Sequence, residues 1–155
     1  MACILEVNGA APEMGENCWL APNATVVGDV KMGKNCTVWF NAVIRGDVNE
    51  IRIGDDTNIQ DGAVIHCTYK QAGTNIGNQV SIAHNAIVHG CIIHDRVLIG
   101  MGAIVMDGAI IHSDAVIAAG AVVLAGTVVE AGSIYAGTPA RKVKEIGDNM
   151  REVIL

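Results

Sequence analysis

The sequence predicts an all-β fold: a single-stranded parallel β-helix of hexapeptide repeats, ended by a short C-terminal α-helix. Three observations point there. Met14-Gly15-Glu16-Asn17-Cys18 recurs 18 residues later as Met32-Gly33-Lys34-Asn35-Cys36, and a finer period of six runs through most of the chain. A chain that is 51% hydrophobic has only 3% aromatic residues, so its core is aliphatic. It also carries 18 Gly, too many for a helical bundle, because each interior Gly costs a helix ~1 kcal/mol. A period of six fits neither the 3.6-residue helix nor the alternation of a long strand; it fits short strands separated by bends.

Taking the first residue of each hexad as position i, the inward plugs are Met14, Leu20, Val26, Met32, Val38, Ile44, Ile53, Ile59, Ile65, Ile76, Ile82 and Val88. The series continues through Ile93, Ile99, Val105, Ile111, Ile117, Val123 and Val129 to Tyr135. All but Tyr135 are aliphatic. Position i+4 is small or β-branched, as at Ala24, Cys36, Ala42, Thr57, Ala63, Ala86, Ala103 and Ala115, as expected at a tight bend. Three hexads complete one triangular coil, and successive coils stack at the ordinary strand spacing of ~4.8 Å. The register breaks between Ile44 and Ile53, between Ile65 and Ile76, and between Val88 and Ile93. These breaks are expected to be loops on a regular prism.

The prism is expected to occupy residues 1–139, ending where Pro139 opposes a further strand. Val143, Ile146, Met150 and Val153 then lie near helical spacing, which predicts a helix over 140–155 packing back on the prism.

Composition narrows the partners. Lys+Arg 10 against Asp+Glu 16 gives a net charge of −6, and with so few aromatics the chain lacks the basic, stacking surface that nucleic acid needs. No uninterrupted apolar run is long enough to span a membrane, so no membrane partner is expected. The first residues lack the pattern of a secretory leader, which predicts a cytoplasmic protein. The five Cys form no CxxC pair and are expected to be reduced.

Counting hexads places the histidines. His66 and His89 both occupy i+1 one full coil apart, so their imidazoles lie on adjacent rungs of one corner and can converge on one ion at Zn–N distances of ~2.0–2.1 Å. His84 lies at i+2 of the preceding hexad, poorly placed to complete the same site within one chain, and a neighbouring subunit could supply it. Such a heterologous contact must close into a ring, most simply a trimer. Three neutral His with an open fourth position form a catalytic rather than a structural zinc set. The same spacing also suits plain polar corner residues of a solenoid. His94 and His112 repeat the i+1 pattern on another corner without an evident third ligand, and are read as a surface ladder with a second metal site as the alternative.

Three runs, Ile44-Arg45-Gly46-Asp47, Asn58-Ile59-Gln60-Asp61-Gly62-Ala63-Val64-Ile65-His66 and His84-Asn85-Ala86-Ile87-Val88-His89-Gly90-Cys91, closely resemble the γ-class carbonic anhydrase family, as does Tyr135-Ala136-Gly137-Thr138-Pro139-Ala140-Arg141. The resemblance covers residues 12 to 146. It implies a left-handed β-helix and a homotrimer with Zn²⁺, or alternatively Fe²⁺ or Co²⁺, at each subunit interface. His66 and His89 would ligate from one subunit and His84 from the next. The implied reaction is reversible hydration of CO2 to bicarbonate by a metal-bound hydroxide. Gln60 would hydrogen-bond the bound solvent, Asn58 and Asp61 would support the site, and Arg45 and Asp47 would lie by the interface. There Arg45 would stabilise bicarbonate, or the two would form a register-fixing ion pair.

Two places depart from the best-studied archaeal type of the family. Val48 and the 69–74 stretch stand where that type carries acidic residues that export protons, so slow turnover, or export through buffer or Glu50, is expected. The competing functions are an acyl-CoA thioesterase or hexapeptide acyltransferase, and a non-catalytic metal-binding trimeric scaffold.

Overall fold

A computed structural model describes residues 1–154 of the protein. Short parallel strands wind into a solenoid of about seven turns, and three columns of inward side chains run its length. Face one stacks Val26, Ile44, Ile65, Val88, Val105 and Val123. Face two stacks Met14, Met32, Ile53, Ile76, Ile93, Ile111 and Val129. Face three stacks Leu20, Val38, Ile59, Ile82, Ile99, Ile117 and Tyr135. These are the i positions of the repeat, and from Val26 through Val129 they lie at 5% exposure or less. The i+4 alanines fill the bends and are fully buried at Ala24, Ala42, Ala63, Ala86, Ala103, Ala109, Ala115 and Ala121.

The turning itself is done by corner residues in the left-handed backbone region. Asn17, Asn35, Asp56, Gln79, Arg96 and Asp114 line one corner with φ between 54° and 61°, and Asn41 and Asn85 adopt φ 59° and 57° at another. Asn and Asp reach this conformation at the smallest cost among non-glycine residues. They also stack: Asn35 donates to Asp56 Oδ1 at 2.9 Å, and Asn23 to Asn41 Oδ1 at 2.8 Å. The aliphatic core leaves Trp19, Trp39 and Phe40 outside, at 43%, 37% and 43% exposure. All five cysteines are free, and burial pushes the Cys36 thiol up to about 11. Among the described residues, no helix is long and apolar enough to cross a membrane.

Two expectations need correction. The three extra residues after Ile44 form no loop: Val43–Ile53 is one continuous strand paired to Thr25–Met32. The register passes from Gly28↔Gly46 to Val30↔Ile51, so the insertion is absorbed as a bulge that projects Asp47 to Glu50 opposite Asp29. Gly46 permits this close approach, since a Cβ there would stand 2.6 Å from the Asp29 carbonyl oxygen. After Ile65 the chain does leave the prism, through a turn closed by the Thr68↔Ala72 bridge.

The second correction concerns residues 140–155. Arg141–Glu145 is a strand, antiparallel to Ser133–Ala136, and the helix is confined to Asp148–Ile154. Ser133–Ala136 is the last rung of its ladder and would otherwise present unpaired backbone groups, which the antiparallel strand satisfies. Lys142 anchors that strand through Glu130 and Glu145. The side chain that packs back is Ile146, against Val116 and Ile134, whereas Val143 and Met150 remain 62% and 40% exposed. The Val153 side chain lies outside the described residues.

Inward and outward positions predict opposite mutational costs. Ile111→Ala, in a fully buried column, is expected to lower unfolding free energy by about 2–5 kcal/mol, while Val128→Ala, 53% exposed, changes it by no more than about 0.5 kcal/mol. Urea denaturation followed by circular dichroism checks both.

Candidate metal centre

Face one ends in two corners, and each carries part of the predicted site. At its downstream corner the i+1 residues Arg45, His66 and His89 form a column: His66 and His89 are paired across adjacent rungs, and the Gly90 N–H donates to the His66 carbonyl at 3.2 Å. Ladder register therefore puts the two rings together, with centroids 5.0 Å apart. Their facing atoms, His66 Nδ1 and His89 Nε2, are 3.1 Å apart.

The outer nitrogens are both engaged by carboxylates. His66 Nε2 lies 3.0 Å from Asp47 Oδ1, and His89 Nδ1 lies 2.5 Å from Asp107 Oδ1. Burial pushes the Asp47 carboxyl up, but hydrogen bonds from His66 and Arg45 outweigh it and hold it below its ordinary value. Asp107 behaves alike, with hydrogen bonds from Thr68 and His89 overcoming burial. Ionised carboxylates accept only, so each ring donates its outer N–H and turns an unprotonated nitrogen inward. Two lone pairs aimed at each other over 3.1 Å call for a positive species between them, either a shared proton or a cation. Two ligands of a tetrahedral Zn²⁺ with Zn–N of ~2.0–2.1 Å stand ~3.3 Å apart, so this pair suits such an ion, and the His–carboxylate hydrogen bonds are those that orient metal-binding imidazoles.

Arg45 points its guanidinium at the same carboxylate. Its Nη1 lies 2.6 Å from Asp47 Oδ2, so Asp47 bridges Arg45 and His66. The two side chains thus pair within one chain. Asn8 holds the bridge from behind, donating to the Asp47 carbonyl at 3.1 Å.

The upstream corner of face one carries the rest. His84 Nδ1 lies 3.0 Å from Asp61 Oδ2, one rung away, and Nε2 is its other ring nitrogen. His84, Asp61, Gln60, Asn58 and Trp39 line a pocket of ≈ 230 Å³. Within one chain His84 thus belongs to a different cluster from His66 and His89, and no group of three or more His, Cys, Asp or Glu arranged to hold a metal occurs among the described residues. His94 and His112 stack face to face at 5.2 Å and 6°, a ladder whose parallel rings do not converge on one ion.

Two participants escaped the sequence reading. Asp107, the partner of His89, follows it by 18 residues, the coil length of the repeat, and that spacing was the available signal. Trp39, a wall of the His84 pocket, lies off the inward i and i+4 positions of the repeat, which carries no functional signal by itself.

The chain matches the family model described as bacterial transferase hexapeptide (six repeats) over residues 11–46 and 90–129. It is 47% identical to the Methanocaldococcus jannaschii protein named "Probable carbonic anhydrase" over 86% of this chain and 83% of that one. To gamma carbonic anhydrase 1, mitochondrial, of Arabidopsis thaliana it is 37% identical over 94% of its own length, spanning about half (54%) of that relative. Among solved structures, a hexapeptide transferase family protein from Anaplasma phagocytophilum superposes with a TM-score of 0.94 at 35% identity, covering 98% of this chain and 89% of the other.

The carboxylate contacts fix opposite tautomers on the two rings. Ring ¹⁵N correlation spectra of the metal-free protein at pH 8 are expected to show His89 protonated at Nδ1 and His66 at Nε2, with Asp107→Asn disturbing the His89 pattern while His94 and His112 keep theirs.

Proposed function

Because this chain belongs to the γ-class carbonic anhydrase family, we propose that it hydrates CO2 reversibly to bicarbonate at metal sites shared between three copies of itself. The observation that carries this reading is the division of ligands. A pair of inward lone pairs, His66 Nδ1 and His89 Nε2, sits at one corner of face one, and the single His84 Nε2 sits at the other. Packing the downstream corner of one copy against the upstream corner of the next unites three neutral imidazoles and repeats as a closed ring.

When bound, Zn²⁺ or another divalent ion on three neutral imidazoles lowers the pKa of a water from ~15.7 toward ~7, supplying hydroxide at neutral pH. The chain's own groups do the rest. Asp47, Asp107 and Asp61 each hold one imidazole in the tautomer that offers a lone pair. Gln60 and Asn58, beside His84, present side-chain amides that orient the attacking oxygen. Carbon–oxygen bond formation converts CO2 and water to bicarbonate and one proton. Arg45, 46% exposed and already neutralised by Asp47, steers the anion weakly and chiefly fixes Asp47.

The proton must reach solvent. Glu50, the acidic candidate expected from the sequence, is engaged by Arg52 at 3.0 Å, and Val48 cannot carry a proton. Buffer is then the main acceptor, and kcat is expected to rise several-fold, saturably, between low and high imidazole concentration in stopped-flow assays while kcat/KM stays constant.

A second reading, acyl transfer or hydrolysis of an acyl-CoA, is favoured by the transferase description of the matching family model and of the Anaplasma structure. A CO2-inactive but metal-loaded protein that turns over acetyl-CoA would replace the first reading with this one.

Ligand sharing has a specific signature. His84→Ala and His89→Ala homotrimers are each expected to lose at least ~100-fold in CO2 hydration, and co-refolding the two variants is expected to restore activity, since every mixed trimer regains one interface with all three imidazoles. Absence of restoration in verified mixed trimers would overturn the shared site.

A further inference from the structure

Thr37 stands on the outer side of face three, paired with Asn58 on the next rung. Its hydroxyl oxygen accepts two hydrogen bonds, from Asn58 Nδ2 at 2.6 Å and from the Trp39 indole N–H at 3.3 Å. Both acceptor positions of the hydroxyl are therefore filled. Asn58 and Trp39 each line the pocket that also holds Gln60, Asp61 and His84, while Thr37 is not among its lining residues. A side-chain amide is planar, so fixing Nδ2 against Thr37 also fixes where Oδ1 points. The indole is held from its other sides by rings: Trp19 lies 4.9 Å from Trp39 and Phe40 lies 6.4 Å away.

We propose that Thr37 is a positioning residue for CO2 hydration: its hydroxyl locks the Asn58 amide and the Trp39 indole as two walls of the His84 pocket, setting the room and the polarity that CO2 and bicarbonate meet. This rests on the functional reading above. Trp39 supplies the apolar wall suited to uncharged CO2, and Asn58 supplies the second Nδ2 hydrogen as a donor to the product anion and Oδ1 as an acceptor for the bicarbonate hydroxyl. One hydroxyl holds both, so removing it loosens the two walls together. A merely structural threonine at a strand surface would move neither the pocket's ligand response nor the indole.

The test uses zinc-loaded full-length protein with Thr37→Val, which keeps the shape and removes the hydroxyl, and Thr37→Ser, which keeps the hydroxyl. Thr37→Val is expected to bind zinc and melt like the wild type, yet lose about tenfold in kcat/KM for CO2, the loss of one ordinary hydrogen bond's worth of positioning. In the absence of CO2 it is also expected to shift the Trp39 indole ¹H–¹⁵N resonance, assigned with Trp39→Phe, and to weaken the bicarbonate-induced shift of the Asn58 side-chain amide. Thr37→Ser restores all three readouts. Wild-type kcat/KM in Thr37→Val, or Thr37→Ser behaving like Thr37→Val, overturns the proposal. If wild-type protein does not hydrate CO2, the functional reading fails separately, and Thr37 is judged on bicarbonate alone: identical titrations for wild type and Thr37→Val overturn it. Should Thr37→Val not fold, Thr37→Ala carries the same expectations.

Discussion

Everything in this molecule depends on one constraint, the parallel backbone ladder that holds each coil directly above the same positions of the coil before it. The ladder fixes which side chains share a column. Apolar residues at i make a continuous core, small residues at i+4 fit the bends, and left-handed Asn and Asp residues turn the corners. The same register makes a site. His66 and His89 are 23 residues apart, yet they meet because they are the same position of two successive coils. Corner geometry and chemistry are thus one problem, since a residue that turns outward at a corner faces its counterpart from the neighbouring rung.

The order of the prism explains how carboxylates reach the rings. Asp107 lies one coil beyond His89, Asp61 lies one rung from His84, and Asp47 reaches His66 from the bulge that Gly46 permits. His66 and His89 therefore each have a carboxylate on the outer nitrogen, and His84 has one beside Nδ1. Near an unpaired imidazole such carboxylates would merely raise local negative charge; aligned as they are, they choose the tautomer. Asp47 does more, because its second oxygen is spent on Arg45. The arginine is consequently a brace for the carboxylate more than a free cation for an anionic product.

Much of this was legible in the sequence because period six is a statement about space. The inward columns, the aliphatic core and the stacking of His66 under His89 follow from counting alone. What counting could not reach were features decided by competition between local and distant partners. The residues inserted after Ile44 carry no turn signal that distinguishes a loop from a bulge; the partner strand Thr25–Met32 decides it. Val143 and Ile146 sit at helical spacing, but the open edge at Ser133–Ala136 gains more from a paired strand than the segment gains from a helix. Thr37 carried no functional signal, since its role exists only through Trp39 two residues on and Asn58 on the next rung.

The placement of the two half-sites also constrains how such a fold can acquire chemistry. A narrow prism filled by aliphatic plugs has no interior left for a ligand, so any reactive site must lie on its outside, where one chain offers a convex corner. Convex corners cannot exclude water or surround a substrate. Placing His66 and His89 on one corner of face one and His84 with Gln60 on the other answers that limitation under the trimeric reading proposed above, in which a second copy would supply the concave half. In the proposed trimer, outward apolar residues of face one, such as Val64 and Ile87, 36% and 38% exposed in the single chain, lie between the two corners and become the contact that brings them together. Under that reading, the repeat that fills the prism with aliphatic side chains is also the repeat that aligns both halves of an external site.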